Sequence, residues 1–421
     1  MDRRRGRPSS DLEVNSSGKG VVVVFQIGAY VFAFRTRSKR SRTETGTSRT
    51  NTAVLRRGVR GSTDSSSRDP YSRPGEILLT HLKVPRRYEQ RHLEHNIKVS
   101  RPKYLASFTR IKGDSKSWKL GGMPPVYKDP KTGTSLLDEY QDYKEPEDDS
   151  TLDFVTNTLR QNSTTKSLLS TFRGFVSFRN NLNKILATPY LRNEYHIHAT
   201  KTEEGWIRLD VVKTPDPLDD RSRRFMYMGR RFEEICTKHP PDTQQNDDEA
   251  GSSMEKHREH CVVVRAKIGD HEMLLGAEID CIGPRRREEE GEEATRDDGE
   301  NVWIELKTSV YQESERQRIS FQKYKLLKFW IQSYLVGVPL IKCGFRKDHI
   351  LKEVETFETL KIPRMARDKG GWNGNVCLNF ASEILKFIRK NVKDPSKVYR
   401  ISYSAPWDSI RMYLGALFFE S

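Results

Sequence analysis

Apolar and polar positions along the chain follow two periods, and these divide most of it into strands and helices. Two apolar runs flank Gly269 and Asp270, which predicts a β-hairpin at this turn. Apolar residues three and four apart predict a long helix over 319–336. Further strands are predicted at 103–109, 175–178, 196–199, 206–212, 261–268, 273–282, 340–345 and 398–403, and further helices at 152–169, 182–186, 221–237 and 379–391. The pattern predicts an α+β fold with mixed, mainly antiparallel sheets and flanking helices.

The first part of the chain lacks this patterning. Residues 1–75 are rich in Ser, Thr, Arg and Gly and predict a disordered basic tail. Residues 76–421 then form a single catalytic domain, with a charged insertion at 284–300. One apolar segment, 20–34, interrupts the tail. It is shorter than the roughly 20 apolar residues of a membrane-spanning helix, and no cleavage pattern follows it, so a disordered or β-prone piece of tail is favoured over a signal or anchor.

The net charge of the chain predicts the kind of partner that it binds. The chain carries 74 Lys and Arg against 58 Asp and Glu, a net charge of +16, which favours nucleic acid first and an acidic membrane second. Residues 1–75 hold 16 of these cations and 6 of the anions, so the tail carries most of the excess. The basic run 35–42 is compatible with nuclear import. Five scattered cysteines without a C-x-x-C pair argue against a disulfide framework or zinc site, and predict a reducing compartment, nucleus or cytosol.

Two short phrases carry the candidate chemistry, Glu278-Ile279-Asp280 and Glu305-Leu306-Lys307. Residues two apart on a strand point the same way, so Glu278 and Asp280 share one face and Glu305 and Lys307 share another. If the two strands pair, carboxylates converge on a site for a hard cation, with an ammonium beside it for phosphate charge. The alternative is a solvated strand face, because 31% of the residues are charged. Charge within a strongly apolar strand nevertheless needs partners, and a metal would be one.

The predicted helix over 319–336 presents a second polar surface. Lys325, Lys328 and Gln332 lie at i, i+3 and i+7, on one face of the helix. This face is either solvated or, beside the strand site, able to hold phosphates.

Taken together, these motifs resemble the DXO (decapping exoribonuclease) family. The resemblance covers about residues 100–405, and its blocks occur in the family's order and at its spacings. The blocks are 175–186 (FVSFRNNLNKIL), 226–233 (MYMGRRFE), 276–281 (GAEIDC), 304–309 (IELKTS), 325–333 (KLLKFWIQS), 337–339 (GVP), 344–346 (GFR) and 371–373 (GWN).

The resemblance implies a PD-(D/E)xK nuclease-like core and Mg²⁺- or Mn²⁺-dependent action, with two divalent ions, at the 5′ end of RNA. The family's activities include releasing pyrophosphate from 5′-triphosphate RNA and removing incompletely methylated or NAD-type caps. Many members also digest RNA from 5′ to 3′. The expected partner is therefore the RNA 5′ end, in RNA quality control, with no membrane expected.

The resemblance also assigns roles to individual residues. Metal ligands are expected at Glu233, Asp280, Glu305 and the backbone carbonyl of Leu306, with Glu278 on a second metal or its attacking water. Positioning of the water and the scissile phosphate is expected from Lys307 and Gln332. Contacts with RNA are expected from Arg179, Arg101 and Asp149.

The chain departs from the family pattern in two places, and two other functions stay open. Asn180 follows Arg179 where the family usually has glycine, and 256–260 replaces a stretch that is usually Asn-rich. One alternative is a non-catalytic partner that stabilises a nuclear 5′–3′ exoribonuclease; the complete carboxylate set argues against a purely structural role. The other alternative is a DNA endonuclease on the same core, which the order of the blocks disfavours.

Overall fold

The structure is a computed structural model. It describes residues 21–27, 30–36, 72–144, 146, 149–212, 219–238, 258–284, 301–367 and 371–415. The remaining residues, which include most of the predicted tail and positions 285–300 of the predicted insertion, lie outside the described residues.

Strands and helices are numbered in chain order. The strands are β1 Val21–Ile27, β2 Tyr30–Thr36, β3 Ile77–Lys83, β4 Lys103–Ile111, β5 Asp114–Leu120, β6 Val126–Tyr127, β7 Phe175–Phe178, β8 Tyr195–Lys201, β9 Ile207–Val211, β10 Thr237–Lys238, β11 Arg258–Ile268, β12 His271–Glu278, β13 Cys281–Pro284, β14 Asn301–Val310, β15 Leu340–Lys347, β16 Ile350–Glu358, β17 Tyr399–Tyr403 and β18 Ser409–Leu414. The α-helices are α1 Asp153–Gln161, α2 Leu168–Thr171, α3 Arg179–Ala187, α4 Asp220–Ile235, α5 Glu315–Ser320, α6 Leu326–Tyr334, α7 Ile362–Arg367 and α8 Gly374–Asn391. A π-helical turn, Phe321–Lys325, joins α5 to α6, and 3₁₀ turns lie at Arg87–Leu93 and Tyr140–Asp142.

Two large sheets form the framework. One has ten strands in the order β3-β18-β17-β8-β9-β7-β12-β11-β4-β5, and the other has six in the order β10-β6-β13-β14-β15-β16. Most neighbours are antiparallel, whereas β12–β7, β7–β9, β13–β6 and β14–β15 are parallel. The predicted mixed, mainly antiparallel α+β architecture is confirmed.

Helices cover the sheets on more than one side. The largest cluster of buried apolar residues joins inward positions of both sheets to α3, α6 and α8. A second cluster packs α1 and α2 on the ten-stranded sheet, and a third packs α4 on the six-stranded sheet. Successive residues of one strand join different clusters, because a strand offers one face to each side: Val262 and Val264 of β11 lie in the first cluster, and Cys261 and Val263 lie in the second. Helices α3, α4 and α6 are therefore placed to deliver side chains to the region where the two sheets meet.

Several predicted elements keep their positions and others change. The strand at 175–178 and the hairpin of β8 and β9 are confirmed. The helix predicted over 152–169 is wrong as a single element, because α1 ends at Gln161. There the Asn162 side chain accepts a hydrogen bond from the Thr164 backbone N–H at 3.0 Å, a local turn that competes with helix. The helix predicted over 319–336 begins earlier, at a capping box of Ser314 and Gln317.

Within the predicted tail, the structure describes one hairpin. Strands β1 and β2 pair antiparallel from Val21–Thr36 to Ile27–Tyr30, so 20–34 is largely the β-prone segment that its composition allowed. Among the described residues, no helix combines the length and apolar character needed to cross a membrane.

Candidate active site

The chain passes from one sheet to the other between Glu278 and Cys281. Glu278 is the last residue of β12 in the ten-stranded sheet, and the Ile279 N–H still donates to the His260 carbonyl of β11 at 2.9 Å. Cys281 then begins β13 and pairs with Ile304 of β14 in the six-stranded sheet. The prediction of one continuous strand through Asp280 is therefore wrong. Glu278 and Asp280 lie at the crossing itself, so each sheet contributes to the surroundings of these carboxylates.

Strand β14 supplies Glu305 and Lys307 as predicted. Ile304 and Leu306 pack with α4, so the alternate residues Glu305 and Lys307 point toward the opposite side, where α6 lies. Both are buried, at 1% and 5% exposure. Such burial excludes the solvated strand face that composition alone allowed.

The Lys307 ammonium marks the point where the predicted metal ligands converge. Its Nζ lies 2.5 Å from Glu305 Oε1, 2.8 Å from the Leu306 carbonyl oxygen and 3.7 Å from Asp280 Oδ2. Asp280 Oδ2 also accepts the Leu306 N–H at 2.6 Å. A side-chain carboxylate from the crossing, one from β14 and a backbone carbonyl thus surround one cation. These are all oxygen donors, the set that Mg²⁺ and Mn²⁺ prefer, so the residues fit a divalent ion.

Two helices complete the surroundings of Glu305. Arg179, the first residue of α3, donates from Nη1 to Glu305 Oε2 at 2.9 Å and is buried. Gln332 of α6 donates from Nε2 to Glu305 Oε1, while its own Oε1 is buried without a hydrogen-bond partner among the described residues. Arg179 therefore lies inside the site, against a predicted metal ligand. Its predicted contact with RNA phosphate stays a prediction.

The remaining carboxylates repel one another. Burial, followed by the negative charges of Asp280 and Glu278, raises the pKa of Glu233 on α4 well above its usual value. Burial and the nearby Glu305 raise the pKa of Asp280 to about 8. Burial and Glu259 raise the pKa of Glu278 to about 7. Burial is the first cause of these shifts and repulsion between the acids adds to it, so a bound cation would stabilise their charged forms.

Glu305 is the exception in this group. Burial on its own would raise the pKa of Glu305, but the charges of Arg179 and Lys307 together outweigh burial and lower it. We call Glu233, Glu278, Asp280 and Glu305 the carboxylate cluster. Within the described ranges, no three His, Cys, Asp or Glu side chains already stand in metal-binding arrangement. The oxygens expected to hold a metal are instead in contact with the Lys307 ammonium.

The two weaker RNA-contact predictions fall at the edge of this region. Arg101 is exposed, just before β4, and its neighbour Pro102 lies beside Gly337 beyond the end of α6. Asp149 is not brought into the carboxylate cluster. Its Oδ1 instead accepts from Arg110 at 2.7 Å. The Lys325 and Lys328 face is largely buried, with Lys328 at 4% exposure, and so is not the solvated helix side.

Sequence reasoning missed Arg110 and Glu259. These residues form a buried ion pair, with Arg110 Nη2 2.6 Å from Glu259 Oε2. Glu259 also raises the pKa of Glu278, so it belongs to the electrostatic surroundings of the site. The signal was present, because Glu259, Cys261 and Val263 alternate on one face of β11. The charged residues before Glu259 concealed the start of that strand.

Comparison with known proteins identifies what the chain resembles. The family described as RAI1-like PD-(D/E)XK nuclease matches residues 100–415. A mouse "Decapping and exoribonuclease protein" is 31% identical over 324 residues, which cover 72% of this chain and 78% of the mouse protein. Among solved structures, Rai1 of Candida albicans in complex with pU5-Mn2+ has a TM-score of 0.61 at 22% identity, covering 80% of this chain and 94% of that one.

Rai1 of Scheffersomyces stipitis in complex with (3'-NADP)+ and calcium ion also has a TM-score of 0.61 at 22% identity, covering 78% of this chain and 93% of that one. At 22% identity the two structures support the fold alone. The family match and the mouse relative show, from the sequence, to which family the chain belongs.

Proposed function

We propose that this chain, which belongs to the RAI1-like PD-(D/E)XK nuclease family, uses its carboxylate cluster to hydrolyse incompletely capped, NAD-capped or triphosphorylated 5′ ends of RNA. The chain is a metal-dependent nuclease of the decapping type. Which of these ends it attacks, and whether it continues as a 5′–3′ exoribonuclease, are part of the proposal. Its relatives support this range, since the C. albicans protein binds pU5 and the S. stipitis protein binds (3'-NADP)+.

One observation supports this function above the others. The three oxygens expected to hold metal, from Asp280, Glu305 and Leu306, all lie around a single cationic nitrogen, Lys307 Nζ. A divalent ion in that place would be held by these oxygens and Glu233, with Glu278 serving a second ion. Such ions supply a nucleophile at neutral pH and neutralise charge on the phosphate during in-line displacement.

The chain's own residues then perform separate tasks. Lys307, once freed from Glu305, presents its ammonium to the phosphate oxygens, where negative charge develops. Gln332 Oε1, which has no hydrogen-bond partner within the described part of the chain, accepts a hydrogen from the attacking water and orients it. Glu278 is proposed to hold the attacking water beside that second ion and to take its proton. The new bond joins the water oxygen to phosphorus, and the bond to the leaving oxygen breaks.

The proposed substrate is recognised without contacts to its bases. A 5′-end hydrolase requires affinity for phosphate and for the terminal group, because it must accept any RNA sequence. Arg179 offers a planar set of donors for phosphate if the metal takes over Glu305. Arg101 and Asp149 stand further out and are proposed to touch the RNA beyond the reacting phosphate.

The test is a comparison of RNA ends. Purified protein with Mn²⁺ is incubated with RNAs bearing a 5′-monophosphate, triphosphate, unmethylated cap or NAD cap, and the released products are identified. We expect metal-dependent release from at least one of these ends and its loss in Asp280→Ala. Cleavage of duplex DNA without action on any RNA would assign the site to a DNA endonuclease instead.

A second role is proposed for the same molecule. We propose that it acts in the nucleus, where it also binds and stabilises a 5′–3′ exoribonuclease. The basic run 35–42 supports import. The five cysteines support a reducing compartment, since all of them are free and buried. Imaging of the tagged chain tests the location. Co-purification of an exoribonuclease with the Asp280→Ala variant would show that binding does not depend on catalysis, whereas no co-purification with either form would reject the partner.

A further inference from the structure

A cavity of about 290 Å³ lies beyond the far end of the carboxylate cluster. It forms where β14 gives way to Tyr311, opposite the π-helical turn and the faces of β15 and β16. Its walls are largely aromatic: Phe321 lies 5.3 Å from Phe345 and 5.8 Å from Phe357, ring centre to ring centre. Tyr311 follows the last residue of β14 and lies four residues beyond Lys307, about 13 Å at the rise of a strand. The cavity is therefore separate from the reacting centre.

Two carboxylates give this cavity a negative edge. Glu353 and Glu355 lie two residues apart on β16, so they point to the same side and both line it. In the part of the chain that the structure describes, neither is within ion-pair distance of a cation. Burial and repulsion by Glu353 raise the pKa of Glu355. Arg318, exposed at the rim, is close enough to line the cavity but forms no ion pair with either glutamate.

Two amide groups in the cavity also lack partners. Gln312 Nε2 and Gln322 Oε1 are both buried, and neither has a hydrogen bond among the described residues. A buried polar atom without a partner is costly, and such atoms in natural proteins usually meet a ligand or water. The cavity thus offers one donor and one acceptor in addition to its carboxylates and aromatic rings.

We propose that this cavity binds the guanidinium group of an arginine side chain from a protein partner. A guanidinium is flat and carries five N–H donors, so it can bond to Glu353, Glu355 and the Gln322 oxygen together. Its faces are attracted to aromatic rings such as Phe345 and Phe357. The Gln312 amide then donates to a carbonyl of the partner's backbone. A nucleobase would satisfy the amides and rings, but its phosphates would be repelled by the two glutamates.

The edge of the six-stranded sheet gives a partner segment its approach. β16 is the last strand of that sheet, and its described contacts on the open side are near its start, where Ile350 bridges Ser135. The backbone groups of an uncovered edge strand are available to an added strand. An extended segment paired there would carry its side chains over the edge at alternate positions.

The test uses the full-length protein and short capped peptides in titration calorimetry. Gly-Arg-Gly is compared with Gly-citrulline-Gly, which keeps the shape but loses the charge. We expect the arginine peptide to bind about tenfold or more tightly than the citrulline peptide. The double variant Glu353→Gln/Glu355→Gln should lose this preference, and Arg318→Gln should strengthen arginine binding. Glu358→Gln, on the same strand but the opposite face, is the matched control and should change nothing.

Three outcomes would each overturn the proposal. The two peptides could bind equally, neither could bind, or the arginine preference could survive in the double variant. Binding of uridine monophosphate that is lost in Gln312→Ala would assign the cavity to RNA and overturn it as well. The double variant should keep full Mn²⁺-dependent hydrolysis of RNA. That readout verifies its folding and keeps this result separate from the proposed function.

Discussion

The Arg400–Glu76 pair and the carboxylate cluster are both removed from water, but their charges are balanced differently. Arg400 Nε donates to Glu76 Oε1 at 2.6 Å, and its Nη2 donates to the other carboxylate oxygen. The guanidinium also lies 4.2 Å above the ring of Tyr413. Arg400 is the main cation that faces Glu76, and Arg73 adds to its effect. Burial would raise the pKa of Glu76, but hydrogen bonds and charge from Arg400 and Arg73 lower it overall.

The carboxylate cluster has no such balance. Arg179 and Lys307 both contact Glu305, while Glu233, Glu278 and Asp280 hold elevated pKa values. The Arg400–Glu76 pair joins the segment before β3 to β17 and needs no further ligand. The carboxylate cluster concentrates acids that either hold protons or need a cation to stay ionised. The comparison shows that Glu76, paired with Arg400, keeps a lowered pKa, whereas the more deeply buried Glu233, Glu278 and Asp280 hold raised pKa values.

The strongest test of this contrast removes a carboxylate from the cluster. Asp280→Ala should lower metal-dependent hydrolysis of RNA by at least about 1,000-fold, because metal catalysis is worth several kcal/mol. Circular dichroism should show an intact fold, since the substitution relieves repulsion. Asp220→Ala, which removes an exposed carboxylate paired with Arg224, is the control and should retain full activity. Full activity in Asp280→Ala would reject the site.

The matching change in the balanced pair should affect stability instead. Glu76→Gln leaves the Arg400 charge buried without its anion, which should cost about 3–5 kcal/mol of unfolding free energy. Urea denaturation measures this loss, and activity per folded molecule should be unchanged. A loss of activity without a loss of stability would contradict the structural role given to this pair.

The third test concerns the internal cation of the cluster. Lys307→Met should lower turnover by about 100-fold, because an ammonium that meets the phosphate is lost. The same variant should bind Mn²⁺ more tightly, since no side chain then competes for Glu305 and the Leu306 carbonyl. Mn²⁺ titration followed by electron paramagnetic resonance separates the two effects. Weaker binding of Mn²⁺ would show that Lys307 supports the metal and does not compete with it.

The smallest expected effect is a dependence of stability on pH. Folding raises the pKa of Asp280 from 3.8 to about 8 and that of Glu278 from 4.5 to about 7. The folded metal-free protein therefore holds protons that the unfolded chain releases, so its stability should fall as pH rises from about 4 to 8. Glu76 acts in the opposite sense, because its stabilisation is lost as pH falls below 4.5.

Thermal unfolding at several pH values checks this expectation. The melting temperature of the metal-free protein should drop by roughly several degrees as pH rises from 5 to 8. Asp280→Asn should flatten the dependence, and Mn²⁺ should flatten it in the wild type. A melting temperature that rises steadily from pH 5 to 8 would show that the cluster is not short of positive charge.

Many strands of the fold and most residues of the carboxylate cluster could be predicted from the sequence. Short apolar runs located β7 and β14, and alternation located β8, whose buried and half-buried positions follow each other in turn. The facing of Glu305 and Lys307 followed from strand geometry alone. Glu233 was assigned only through the family resemblance, since on α4 by itself it could equally have been a surface residue.

Other features depended on contacts that a linear pattern does not contain. The run through Asp280 is apolar on both sides of the crossing, so nothing in it marks a change of sheet. The burial of Arg179 depends on Glu305, which lies 126 residues further along the chain. Arg110 and Glu259 pair across β4 and β11. Nothing in the sequence around either residue predicts that the other is its partner. Long-range electrostatic partners therefore had to come from the structure.

The crossing between the sheets has a further consequence for the newly made protein. Glu278 ends a strand of the ten-stranded sheet, which also requires β17 and β18 near the end of the chain. Glu305 belongs to the other sheet, and Gln332 arrives on a later helix. The site therefore needs both sheets and this helix together, and a chain cut before Gln332 would lack part of the set.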